Sequence, residues 1–326
     1  MKTTLSSTYR VLQNNINDIS QRLLDQRIKT TTQKRVNKPS DDPSVIKPMI
    51  DTRAEITAAD RYLRNTGTAL DNMSIIENNL DRSQNIMLRA KEIAISAVSG
   101  IHDADSRATL AIQVSELKDE LLSTANAQHN GKHIFAGLEE GTQPFTTNGA
   151  YASGTYNAAD PTTYPVLYFS GSTTAGNPEF TAKSLEIAPG ETLNVTLTGN
   201  EVFIGDSDGD GDVDAGNVDL FKVLSDLEDA LNSNSVPDVE AQMDNLDTGI
   251  NQVIGLTSRL GIYGERMQKA QNQLEDTKLD LEAILSRYQD ADLVETVNAL
   301  AREETAFQAA LNVTARVSQI SILDFL

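Results

Sequence analysis

Apolar residues recur at coiled-coil spacing close to both ends of this 326-residue chain. Leu5, Tyr9, Leu12, Ile16, Ile19 and Leu23 alternate steps of four and three, which sets them on one seam of a helix. At the other end Leu293, Val297, Leu300, Phe307 and Leu311 keep that step across the polar Glu304. Ala310, Val313, Val317 and Ile320 continue on an adjoining stripe. Chain ends fray unless something holds them. Two amphipathic ends cannot each cover their own stripe, so they are expected to meet each other or further copies. The pattern predicts assembly rather than catalysis.

Composition agrees with rods. Aromatics make up 5% and tryptophan is absent, so the core must be filled by Leu, Ile, Val, Met and Ala, as in a long-helix bundle. A net charge of -20, from 47 acidic and 27 basic residues, argues against electrostatic binding to nucleic acid or to an anionic membrane surface. With no cysteine there is no disulfide framework, thiolate nucleophile or cysteine zinc site. The first fifteen residues lack the basic-then-apolar pattern of a cleaved secretory signal, and no run approaches the ~20 apolar residues of a membrane span. From these observations alone the expectation is a soluble cytoplasmic protein.

Along the chain, the first helix is expected to end between Thr31 and Asn37, where Lys38-Pro39-Ser40-Asp41-Asp42-Pro43 breaks it and Ser40 or Asp41 caps the next. A second helix carries an unbroken seam of Ala69, Met73, Ile76, Leu80, Ser83, Met87, Ala90, Ala94, Ala97 and Ile101. Gly100 to Asp105 turns the chain. Leu110, Val114, Leu117 and Leu121 bring a third helix back, with Asn130-Gly131 as its left-handed cap. From Gly141 the texture becomes Gly, Thr, Ser, Asn and Tyr, with β-type runs at Val166 to Phe169 and Leu193 to Leu197. Helical spacing resumes at Leu220. Val239, Met243, Leu246, Ile250, Val253, Thr257 and Leu260 form a seam that continues through Met267, Leu274, Leu281, Leu285 and Tyr288, past Gly261 and Gly264, which suggest a bend or a close helix contact.

The expected fold is mainly α, with long antiparallel coiled-coil helices from both chain ends and a small β-rich central insert. Residues 1–45 with 289–326 form terminal helices, 46–140 with 236–288 a helical bundle, and 141–235 an outer insert with an acidic loop. This plan puts both termini at one end and the insert at the other.

The sharpest local chemistry lies in that loop. Asp206, Asp208, Asp210, Asp212 and Asp214 alternate, and with Asp206 first they follow a calcium loop, with Gly211 at the sixth position and Val213 at the eighth. The twelfth position is Asn217 rather than glutamate, and no well-capped helix precedes Asp206. Starting at Asp208 makes Asp219 the twelfth residue but puts Val213 where glycine belongs. The plainer reading is a solvated acidic loop. From Glu201 to Ile250 fourteen acidic residues stand against Lys222 alone, so calcium, if bound, would stiffen the insert. His129 and His133 lack the glutamate of a zinc-protease pattern and, with His102, read as turn or surface residues. No phosphate loop, nucleophile elbow or triad order is present.

Three segments resemble the flagellin superfamily, and within it the subunits that join hook to filament. Arg35-Val36-Asn37-Lys38-Pro39-Ser40-Asp41-Asp42-Pro43 is similar to the junction subunits' segment between the first two helices, including a first proline that flagellins usually lack. Asn130 to Gly137, with Phe135-Ala136-Gly137, resembles their aromatic-Ala-Gly segment after the helix hairpin. The ending Leu323-Asp324-Phe325-Leu326 resembles their Leu-Asp-Tyr-Leu, with phenylalanine for tyrosine. The resemblance implies a flagellin-like fold, export unfolded through the flagellar type III channel without signal cleavage, and an extracellular place in the flagellum, which replaces the cytoplasmic expectation. It implies a ring of copies of this chain between hook and filament, with terminal helices in an inner tube. Other partners would be the neighbouring hook-associated junction protein, flagellin, and a cytoplasmic chaperone on the C-terminal helix. Two alternatives stay open: a flagellin filament subunit, and a calcium-binding module on a coiled-coil stalk.

Overall fold

The computed structural model describes residues 2–99, 103–149, 165–169, 177–210 and 212–323. Six α-helices are described: α1 (Lys2–Thr32), α2 (Pro43–Val98), α3 (Ala104–Ala125), α4 (Leu220–Asn232), α5 (Val236–Gln289) and α6 (Leu293–Leu323). Between α3 and α4 lie three two-stranded antiparallel pairs: β1 (Gln128–His129) with β2 (Lys132–His133), β3 (Phe145–Thr147) with β4 (Val166–Tyr168), and β5 (Ser184–Ala188) with β6 (Glu191–Asn194). The expected mainly α architecture, with long helices towards both chain ends and a small stranded insert, is the observed one. The chain forms two compact units, one of residues 1–61 and 275–326, the other of residues 62–274.

In the first unit α1 packs along α6. Gln33 takes the left-handed conformation (φ 57°) that stops α1. The following turn is tied to the α5–α6 connection: Arg35 and Val36 donate their amides to the Gln289 carbonyl at 2.7 and 3.3 Å, and Ala291 donates to the Gln33 carbonyl at 3.0 Å. The cap of α2 differs from the expectation. Asp42, one residue beyond Asp41, accepts from the Ser44 amide and hydroxyl at 3.3 and 2.6 Å, because Asp41 already accepts from the Asn37 and Lys38 amides.

In the second unit every described residue of the α2 seam from Ala69 to Ala97 is buried, with Leu80, Met87, Ala90 and Ala94 at 0% exposure. Ile101 lies outside the described residues. The buried alanines, Met, Ile and Leu of α2 share one core with Val114 and Leu121 of α3, Leu224 of α4, and Leu246, Val253 and Leu260 of α5. Gly261 and Gly264 turn out to face open space, and α5 runs through them as one helix. The close approach is at Gly249, where an added Cβ would sit 2.7 Å from the Leu220 side chain and 3.0 Å from that of Met87.

Asn130-Gly131 is also not a helix cap. Both residues have positive φ (52° and 76°) and form the two-residue turn of the β1–β2 hairpin. Behind it, Phe135 is fully buried among Phe145, Phe203, Phe221 and Tyr168, with ring pairs 5.0 to 5.9 Å apart. Gly137 (φ 59°) lies so close to Pro178 and Glu179 that a Cβ would be 2.5 Å from the Glu179 carbonyl oxygen. The Phe-Ala-Gly motif therefore plugs the insert onto the end of α3. Tyr168 donates its hydroxyl to the same Glu179 carbonyl at 2.6 Å, and burial pushes its ionisation above the ordinary tyrosine range.

Candidate assembly surface and acidic loop

The terminal stripes come together within one chain, but not completely. Leu23 is buried, Leu12, Ile16, Ile19, Leu300, Phe307 and Val317 are half-buried, and Tyr9 and Leu311 stay exposed. Leu5 and Ile320 belong to the described helices, while their side chains lie outside what is described. Leu293, Val294 and Val297 are also exposed, with Val294 at 71%. Arg22–Glu303 (3.4 Å) and Arg27–Glu304 (3.2 Å) fix the α1–α6 register at its inner end. Farther out, a cleft of about 310 Å³ opens between the helices, lined by Leu12, Ile16, Ile19, Ala310 and Val313. Two helices thus share a seam and still present apolar surface along its edges.

The Arg35 to Pro43 motif is an intrachain tie. The Arg35 guanidinium donates to Asp42 at 2.9 Å and to the Tyr288 carbonyl at 3.0 Å. Ser44 and Arg35 hold the Asp42 carboxyl below its ordinary range, and the Lys38 and Asn37 amides do the same for Asp41. The next turn builds a cleft of about 360 Å³ lined by Lys34, Val36, Lys38, Ile46, Met49, Ile50 and Arg53. The cleft is built almost wholly from residues 34–53, closed by Gln289 from the far end of α5; its signal in the sequence was the run of basic residues after Arg22.

In the acidic loop, Asp206, Asp208 and Asp210 each bring an oxygen within 4.8 Å of the others. Asp206 is buried and accepts from the Gly209 amide at 2.7 Å. Asp208 accepts from the Asp210 amide, yet desolvation and the Asp210 and Asp206 charges leave it raised above the ordinary range. Such a cluster suits a hard cation with oxygen ligands. Asp212 and Asp214 are not in the cluster, and Asp214 instead accepts from the Ser207 amide at 2.9 Å. Gly211 lies outside the described residues. The flanks differ from a helix-loop-helix calcium site: a short π-helix, Asn200–Ile204, precedes the loop. Asp219, the twelfth residue counted from Asp208, is the buried cap of α4, its Oδ1 accepting from Phe221 and Lys222 at 2.9 and 3.1 Å. His133 is bonded through both ring nitrogens, to Gln128 at 2.9 Å and the Asn126 carbonyl at 3.0 Å, as a structural residue of the β1–β2 hairpin.

The profile of the bacterial flagellin N-terminal helical region matches residues 5–140, and that of the flagellin C-terminal helical region matches residues 243–326. The chain belongs to the flagellin family. The matched arms hold α1 to α3 and most of α5 and α6, and the insert lies between the two matched regions. It is similar to flagellar hook-associated protein 3 of Escherichia coli, 24% identical over 90% of this chain and 89% of that one. It is also similar to flagellin FlaB1 of Treponema pallidum, 30% identical, over only 32% of this chain and 36% of that one. Among solved structures, flagellar hook associated protein-3 of Legionella pneumophila shares the fold with a TM-score of 0.58 at 15% identity, covering 72% of this chain and 97% of that one. As a flagellin-family member the chain is a structural flagellar component. Among the described residues no helix is long and apolar enough to cross a membrane.

Proposed function

We propose that this chain is a non-enzymatic structural subunit of the hook–filament junction, polymerising through α1 and α6. The observation that carries the reading is likeness to a hook-associated protein over nearly the full length of both chains, 24% identical, where a polar flagellin of Vibrio parahaemolyticus reaches 22% over a similar span; the first proline of the Arg35 to Pro43 segment and the Leu323 to Leu326 ending support the same choice. The exposed apolar edges of the α1–α6 pair supply the surface, with Leu5, Tyr9, Leu12, Ile16, Ile19, Leu23, Leu300, Phe307, Leu311, Val317 and Ile320 as the interface. Residues 1–45 and 289–326 then form the axial layer, 46–140 and 236–288 the layer around it, and 141–235 the outward insert. Copies of this chain form a ring that meets the neighbouring hook-associated junction protein on one side and flagellin on the other. The subunit travels unfolded through the flagellar export channel, without signal cleavage, to an extracellular site, its C-terminal helix held beforehand by a cytoplasmic chaperone. Its mechanism is mechanical, coupling a curved hook to a stiffer filament.

A strain lacking the protein is expected to shed filaments while keeping intact hooks. Filaments that stay attached would remove the junction reading, and hooks with no filament polymer formed in the medium would favour the flagellin reading.

A second proposal rests on the convergence of Asp206, Asp208 and Asp210: the loop takes up calcium and stiffens the insert. Calorimetry at millimolar calcium is expected to give a heat that Asp208→Asn abolishes. A flat isotherm removes the idea.

A further inference from the structure

Resting on the assembly reading above, we propose that the cleft beside the Arg35 to Pro43 turn docks the Asp276–Leu279–Asp280 ridge of a second copy of this chain.

The cleft has an apolar floor and a cationic rim. Val36, Ile46, Met49 and Ile50 form the floor, and Ile50 is 59% exposed. Lys34, Lys38 and Arg53 form the rim. None of the three is neutralised well: Arg53 donates to the uncharged Gln289 amide at 2.9 Å, and Lys38 reaches Asp25 only at 3.5 Å with both groups exposed. Lys34 makes no ion pair among the described residues. From Arg22 to Arg53 the sequence holds eight basic and four acidic residues, a local +4 within a chain of -20. An acidic apolar ridge is what such a cleft complements.

The same unit carries one. On α5, Asp276, Leu279, Asp280 and Ala283 are spaced i, i+3, i+4 and i+7, all exposed, with Leu279 at 63%. A single exposed leucine is ordinary. Here it stands between two carboxylates that make no ion pair among the described residues, while the ridge's own lysine, Lys278, is turned to Asp60 at 2.8 Å. Leucine into the floor and aspartates onto the rim satisfies both surfaces at once. Ridge and cleft share no residue, so each copy offers one to a neighbour and receives the other. That contact is heterologous, and repetition closes a ring or extends a helix.

The chain has no cysteine, so cross-linking can be placed at will. Full-length protein carrying Ile50→Cys with Leu279→Cys, treated with a short bismaleimide at low salt and on intact flagella, is expected to give a ladder of dimer, trimer and higher bands. Each single-cysteine variant alone should stay monomeric, and their mixture should stop at dimers. Asp276→Lys with Asp280→Lys should cut the dimer yield about tenfold, and adding Lys34→Glu with Lys38→Glu should restore it. Dimers from one single-cysteine variant, or a ladder indifferent to charge reversal, would overturn the proposal. If deletion sheds filaments but no cross-link forms on flagella, the docking fails and the junction reading stands. If cross-links form while filaments hold to their hooks without the protein, the docking stands and the junction reading fails.

Discussion

Asp219 makes the stability of the second unit depend on pH in a direction opposite to that of most carboxylates. It caps α4 from a fully buried position, with Oδ1 accepting two amides and Oδ2 buried without a hydrogen-bond partner. Burial pushes its pKa up from 3.8 to about 7, against the Lys222 and Phe221 amides and the Lys222 charge, with Asp226 adding to the rise. The folded protein therefore keeps this proton to a higher pH than the unfolded chain. Between those two values the folded state binds more protons, so stability is full below about pH 4, falls as pH rises, and is lost by about pH 7. At ~1.4 kcal/mol for each tenfold change in the ionisation constant, the whole span is about 4 kcal/mol. Asp219→Asn keeps a side-chain carbonyl for the cap and cannot ionise. Its amide nitrogen replaces an unpartnered oxygen and should cost about 1 kcal/mol at every pH. In urea unfolding followed by circular dichroism from pH 4 to 8, the variant should start slightly less stable and overtake the parent by about 3 kcal/mol at pH 8. If the two curves run parallel, the carboxyl is not the neutral group that its burial demands.

Three substitutions test the packing. Gly137→Ala should destabilise by more than about 2 kcal/mol, since a Cβ would meet the Glu179 backbone and the residue has a positive φ, whereas Gly264→Ala, in open space within α5, should stabilise by about 0.5–1 kcal/mol; thermal melts compare them directly. Arg107 is buried and bonds the Ala97 carbonyl at 3.0 Å and the Asn234 side chain, linking the end of α2 to the turn before α5. Arg107→Met should cost about 2 kcal/mol, with earlier amide exchange in both segments.

The helical part of the fold was legible because its core residues repeat at one period: from Ala69 to Ala97 each residue placed on the seam is buried. Asn130-Gly131 was misread because a helix cap and a tight hairpin turn ask for the same left-handed backbone, and only the pairing of Gln128 with His133 tells them apart. Glycines in α5 pointed the wrong way since a missing side chain marks either contact or indifference; Gly249 is the first kind and Gly261 the second. In the acidic loop five alternating aspartates read alike, but the Ser207 amide and hydroxyl claim Asp214 and Asp212 stands outside the group, so three converge. Interactions far apart in sequence, such as Arg53 with Gln289, had no local signature at all.

The exchange of backbone bonds between Gln33, Arg35 and Val36 on one side and Gln289 and Ala291 on the other has a mechanical meaning. A pull on either terminal helix reaches a knot that grips both, so tension entering through one strand of the chain is divided between two before it can unravel the helices beyond. A rotating joint made of many such knots would give way at its contacts between molecules sooner than inside any one of them.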